Sequence, residues 1–214
     1  MSLEPAKGQH IKVTRQQWID AALSALETTP IDELKVLALA KTLDVSRSSF
    51  YWYFENQTAL TDELLALWEH NTTSIVERAS RGTATVVAAC LGVFECWADR
   101  RLFHAGLDLA VREWARRDSA IRASVARADA ARLEALAVMF RRHGFAPDDA
   151  LVRARLLYHS QVGYDALGTD ESIDARLAYL PHYLEAIAGS LPTNDELSAF
   201  VAVVQAAENP SPGA

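Results

Sequence analysis

The chain has 214 residues, half of them hydrophobic and 23% charged, with a formal net charge of -7. That length allows one ample core or a small module beside a larger one, and the composition is that of a soluble globular protein. The apolar run nearest to a membrane span, from Ala84 to Trp97, is broken by Glu95 and falls short of the roughly 18 uncharged apolar residues required, and the polar opening MSLEPAKGQHIK carries no secretory pattern, so a cytoplasmic location is expected.

In chain order, residues 1–12 form a flexible arm. Thr14 with Gln17 makes a capping box for a helix reaching about Thr28, whose apolar stripe is Trp18, Ala21, Ala22, Leu23, Ala25 and Leu26; Pro30 stops it. A second helix is expected from about Glu33 to Leu43, burying Leu34, Leu37 and Leu43 or their neighbours. Asp44 then stands where the chain reverses, a position that favours glycine or the few residues tolerating positive φ. A third helix from about Arg47 to Tyr53 turns Phe50, Tyr53 and Phe54 inward, and small Ala40 lets the two helices approach. This spacing is that of a helix-turn-helix, so the segment reads as a DNA-binding unit.

Beyond it, Gln57 to about Ser80 forms one long helix with Leu60, Leu64, Leu65, Leu67 and Trp68 inside, and Thr83 to about Ala98 is apolar nearly all round. A segment from about His104 to Arg117 precedes Asp118, which caps a helix running to His143. Gly144 stops that helix and Pro147 opens the next, to about Leu167. Ile173 to Ala188 is helical in pattern but contains Pro181, giving either two short helices or one kinked helix. Thr193 or Asn194 caps a last helix ending near Ala207, and residues 209–214 form a disordered tail. The fold class is all-α: a three-helix helix-turn-helix head over residues 13–56 and a larger helical domain over 57–208.

Catalytic and metal chemistry find no spacing to rest on. Cys90 and Cys96 lie about 9 Å apart along one helix and point to different faces, which disfavours a mutual disulfide, and the six histidines include no i, i+4 pair. No nucleophile–base or phosphate-loop constellation is present, so neither enzyme activity nor a cofactor is expected.

The stretch LAKTLDVSRSSFYWYF, running on into FENQTALTDELL, carries a family resemblance. From Val13 to His70 the chain resembles the amino-terminal DNA-binding domain of the tetracycline-repressor (TetR) family, and LAVREWARRDSAIRASVARADAARLEAL resembles a stretch recurring in one subgroup of it. The resemblance implies a ligand-responsive, homodimeric transcriptional regulator that binds a palindromic DNA operator and is released by a small-molecule effector. It departs from the family at three places. Asp44 replaces the usual turn glycine, Gln57 the usual phosphate-binding lysine, and Lys35 and Val36 a common threonine pair.

Ser46, Arg47, Ser48 and Ser49 occupy the part of the unit that meets base edges, where Arg47 offers paired donors to guanine worth about 1–3 kcal/mol of discrimination. The alternative is a solvated cation with serines that merely cap a helix. Tyr51 and Tyr53 resemble the family's phosphate contacts, Trp52 is placed to lie against sugar or a thymine methyl, and Gln57 occupies the lysine position; Tyr53 is equally readable as core. Thr14 and Arg15 at a helix amino end are further phosphate candidates. Against tight binding, the first seventy residues set ten carboxylates against six cations.

For the effector pocket the candidates are Phe94, Trp97, Phe103, His104, Trp114, Tyr158, Gln161, Tyr164 and Asp165, aromatic walls with a few polar groups, any of which serves equally well as plain core. The resemblance places the dimer on the carboxyl-terminal helices, with Leu151, Leu156, Leu157, Val162, Leu180, Leu184, Phe200 and Val204 as candidate seam; the alternative is that half of these simply close the core of the single chain. The rival is a helical ligand-binding or assembly protein that keeps the head only as scaffold.

Overall fold

The structure, a computed structural model, describes residues 13–169 and 171–208; the arm at 1–12 and the tail at 209–214 lie outside the described residues. No strand occurs among the described residues. The chain divides into two compact units, with the boundary between Leu64 and Leu65.

In the first unit, α1 (Arg15–Ala25) starts at the Thr14 capping box and buries Trp18, Ile19, Ala21 and Ala22. Ile19 takes the inner place expected of Leu23, Ala25 and Leu26, which stay half-buried. A short 3₁₀ turn at Ile31–Glu33 seals the unit with the fully buried Ile31. The second helix starts later than its sequence pattern suggests: Leu34 and Lys35 are extended, and α2 covers only Val36–Thr42. That phase turns Val36, Leu39 and Ala40 inward and leaves Leu37 55% exposed. Asp44 then takes φ 53°, and the Val45 N–H donates to the Ala40 carbonyl at 3.0 Å, closing the turn.

The segment Arg47–Trp52 is a 3₁₀ helix rather than an α-helix. Its inward residue Phe50 is fully buried, edge-on to Trp18 at 5.2 Å between ring centroids and stacked on Phe54 at 5.0 Å. These aromatic contacts fix which side of the segment faces outward. Helix α3 (Gln57–Ser80), capped by Asn56 accepting from the Ala59 N–H, gives its first turns to this unit through Leu60 and Leu64.

The second unit takes the rest of α3 together with α4 (Val86–Ala98), α5 (Ala105–Ala115), α6 (Ser119–Arg142), α7 (Pro147–Leu167), α8 (Ile173–Ala188) and α9 (Asn194–Glu208). Caps set most of the ends: Thr85 for α4, the His104 ring for α5 and Asp118 for α6. Gly144, at φ 88°, follows α6, and Thr193 forms a capping box with Glu196 before α9. Pro181 sits inside a single helix, with Leu180 and Leu184 buried on either side of it. Helix α4 packs on α8 and α9, and α6 on α5 and α7. The core holds Val93, Leu136, Phe140, Leu157 and both cysteines, which are free thiols pushed up to about 12 by burial. No helix among the described residues is long and apolar enough to cross a membrane.

Candidate nucleic-acid interface and ligand cavity

The outward side of the 3₁₀ helix carries the sequence candidates. Ser46, Arg47 and Ser48 are exposed and Ser49 is half-buried, its hydroxyl donating to the Ser46 carbonyl at 2.8 Å. The Ser46 and Ser48 hydroxyls pair at 2.8 Å. Arg47 donates to the Tyr51 hydroxyl at 2.9 Å, with its guanidinium 5.8 Å from that ring's centroid. Trp52 beside them is 77% exposed, an unusual position for so large an apolar ring. Arg47, Tyr51 and Trp52 thus form one exposed surface held in shape by the buried Phe50.

The other candidates are tied inside the unit. Tyr53 is half-buried and donates to the Val13 carbonyl at 2.6 Å, pinning the start of α1. Gln57 donates to the Leu34 carbonyl, anchoring the extended stretch before α2. Arg15 forms a two-pronged ion pair with Glu63 at 2.6 and 2.7 Å, and its guanidinium lies 4.9 Å from the Phe54 centroid. Hydrogen bonding from Arg15 holds the Glu63 carboxyl below its usual range, so a phosphate at Arg15 meets a cation already neutralised. The Thr14 hydroxyl serves the capping box.

Asp44 gives a first testable expectation. At φ 53° its side chain bears the left-handed penalty that glycine escapes. Asp44→Gly is expected to leave the first unit as stable as before or more so, by up to about 1 kcal/mol, once glycine's freer unfolded state is counted. Denaturant melts of the two proteins check this.

In the second unit the space for a ligand lies between α4, α7, α8 and α9, a cavity of about 130 Å³. Of the candidates, Phe94, Trp97, Gln161 and Tyr164 line it. Phe103, His104, Trp114, Tyr158 and Asp165 are not in its wall. Phe103 is buried core, 5.5 Å from the Arg132 guanidinium, and His104 is occupied as the cap of α5, bracketed by Asn71 on its N–H and carbonyl. Trp114 is half-buried on α5, and Asp165 accepts from Gln161 at 2.9 Å.

Tyr158 belongs to a buried polar network that sequence reasoning missed. Arg132, 0% exposed, donates to Asp108 at 3.0 Å, to the Tyr158 hydroxyl at 2.8 Å and to Thr72 at 3.0 Å. Arg112 bonds Asp108 at 2.7 Å and grips Asp129 with two donors, while the Trp68 indole donates to Asp108 at 2.8 Å. Burial works against the Asp129 charge, but hydrogen bonds from Arg112 and Tyr158 outweigh it and keep that carboxyl below its ordinary value. The readable signal was Arg132 itself, a cation in register with Ile121, Val125 and Leu136 on the buried stripe of α6.

The expected dimer seam is largely interior. Leu157, Leu180, Leu184, Phe200 and Val204 are buried within the single chain, and Leu151 and Val162 are half-buried. Leu156 is exposed, and the other large apolar residues exposed on α7 and α8 are Val152, Leu167, Tyr179 and Tyr183.

Residues 19–64 match the family model described as "Bacterial regulatory proteins, tetR family". Among curated relatives, the chain is 40% identical over 53 residues to the tetracycline repressor protein class D of Escherichia coli and, to the same extent, to the class H protein of Photobacterium damsela subsp. piscicida. Each match spans 25% of this chain and 24% of the relative.

Proposed function

We propose, on the premise that this chain is a member of the TetR family through its helix-turn-helix head, that it acts as a one-component repressor. It binds a palindromic operator as a homodimer and leaves it when a small molecule enters the second unit. The observation that carries the reading is the exposed surface of Arg47, Tyr51 and Trp52, raised on a 3₁₀ helix directly after a left-handed turn and lying within the matched residues. Arg47 is the base reader, with Ser46, Ser48 and Ser49 around it, and Tyr51 and Trp52 lie along the sugar–phosphate backbone. Tyr53, Gln57, Thr14 and Arg15 act mainly by holding that surface in place.

Two heads must reach successive major grooves about 34–36 Å apart, which requires a dimer. Val152, Leu156 and Leu167 on α7 with Tyr179 and Tyr183 on α8 are the exposed apolar faces that a second copy would cover. Helix α3 begins in the head and sends Trp68, Asn71 and Thr72 into the hydrogen bonds of the second unit. An effector that prefers the released arrangement tenfold shifts the balance by about 1.4 kcal/mol, and hundredfold by about twice that.

A second reading, a scaffold with a silent head, draws on the excess of carboxylates in the first seventy residues and on the Arg15–Glu63 pair. Titration of a palindromic duplex at several salt concentrations separates the two. A regulator gives saturable binding that falls log-linearly with salt, one dimer per site; absence of binding even at low salt leaves the scaffold.

A further inference from the structure

The cavity of the second unit is unevenly supplied with hydrogen-bonding groups. Its floor is apolar, built from Leu157, Leu180, Ile187, Phe200 and Val204, and Phe94 and Trp97 stand edge to face along one wall, 5.4 Å between centroids. At its polar end both carboxylates are already engaged: Glu171 accepts from the Tyr164 hydroxyl at 3.0 Å, and Asp165, outside the wall, accepts from the Gln161 amide at 2.9 Å. Two other donors at the cavity are not engaged in this way. Among the described residues the buried Trp97 indole N–H has no partner, and none accepts a hydrogen bond from the Arg176 guanidinium, which lies over the Tyr164 ring at 4.2 Å. A buried donor left unmade is costly, so an occupant that brings acceptors gains more here than one that brings donors.

Arg176 and Glu171 both line the cavity, but Glu171 already accepts from the Tyr164 hydroxyl, whereas the Arg176 guanidinium is left for an incoming anion. Asp165 lies outside the wall, and burial raises its carboxyl above its ordinary value. The volume, about 130 Å³, is near the ~150 Å³ of an apolar cavity that accepts benzene and below the ~300 Å³ at which drug-sized clefts begin.

We propose that this cavity binds a small monocyclic aromatic acid, its ring on the apolar floor and its carboxylate accepting from the Trp97 indole and the Arg176 guanidinium. The inference rests on the regulator reading only in naming that acid as the effector; the binding site itself does not depend on DNA. Arg176 gives the preference for an anion, a charge-assisted contact that a neutral amide does not reproduce, and Trp97 serves any acceptor.

Calorimetric titration of the full chain without DNA tests it, with benzoate, benzamide and benzylamine as probes of one size. Benzoate is expected to bind about tenfold more tightly than benzamide, and benzylamine more weakly than either. Arg176→Gln should remove most of the benzoate advantage and leave benzamide within about twofold, while Arg176→Lys restores part of it. Trp97→Phe should weaken benzoate and benzamide alike, with an unchanged circular dichroism melt as proof of folding. Equal affinities for the three probes, tightest binding of benzylamine, or no binding of any of them overturns the proposal. If benzoate binds but leaves operator binding unaltered, the site stands and its assignment as the effector site falls.

Discussion

Replacing Asp108 by Ala is expected to destabilise the second unit by about 3–5 kcal/mol, the range for removing one partner of a buried ion pair. Three donors converge on this carboxylate: the Trp68 indole, Arg112 and Arg132. Arg112 keeps Asp129 after the change, but Arg132 is 0% exposed and among the described residues already holds one unpartnered nitrogen and has only this ion-pair carboxylate to lose. At about 2–4 °C per kcal/mol for a unit of this size, the melting temperature should fall by about 10 °C. Arg132→Met is the informative contrast, because Asp108 would keep Arg112 and Trp68 while a similar volume of apolar side chain fills the gap; its cost should be clearly smaller. Thermal melts followed by circular dichroism check both, and an Asp108→Ala loss under about 1 kcal/mol would contradict the network as described.

Phe50→Ala is expected to unfold the head and abolish DNA binding. Phe50 is fully buried, edge-on to Trp18 and stacked on Phe54, so its truncation removes about 3–5 kcal/mol from a unit of few residues with little stability in reserve. A separate early transition should appear in the melt, with the transition of the second unit retained. Trp52→Ala supplies the control, since a side chain 77% exposed contributes within about 0.5 kcal/mol to folding, yet its loss should still weaken DNA binding. Retention of both stability and DNA binding in Phe50→Ala would show that the aromatic cluster does not set the outward surface.

Local signals in the sequence located the helices well where a side chain closes a helix end by itself: the Thr14–Gln17 box, Asp118, Gly144 and Pro147 each mark an observed boundary. The positive φ at Asp44 was legible for the same reason. The late start of α2 was not, because Leu34 and Lys35 carry no breaker and are held extended by contacts such as the Gln57 amide on the Leu34 carbonyl, 23 residues away in sequence. Nor does apolar spacing over six residues tell a 3₁₀ turn from an α-helical one at Arg47–Trp52.

The sites were less legible than the fold. Ser46, Arg47, Ser48, Tyr51 and Trp52 are exposed surface, but Arg15 and Tyr53 have partners that no local pattern announces, Glu63 and the Val13 carbonyl. Helical spacing cannot separate an aromatic cavity wall from core, so Phe94 and Trp97 face the cavity while Phe103 does not. Arg176, Tyr179 and Tyr183 also line the cavity, on a segment where Pro181 obscures the helical pattern. The network joining Trp68, Asp108, Arg132 and Tyr158 pairs residues 24 to 40 positions apart, beyond any periodicity.

Whether the outward side of the Arg47–Trp52 helix reads a DNA sequence is decided by comparing affinities for an operator recovered from a random duplex pool with those for a scrambled duplex, at one salt concentration. Wild-type protein should prefer the operator strongly, and Arg47→Ala should cut that preference by about tenfold or more while leaving scrambled-duplex affinity nearly unchanged. Equal losses on both duplexes, or a wild-type protein with no preference at all, would contradict the account.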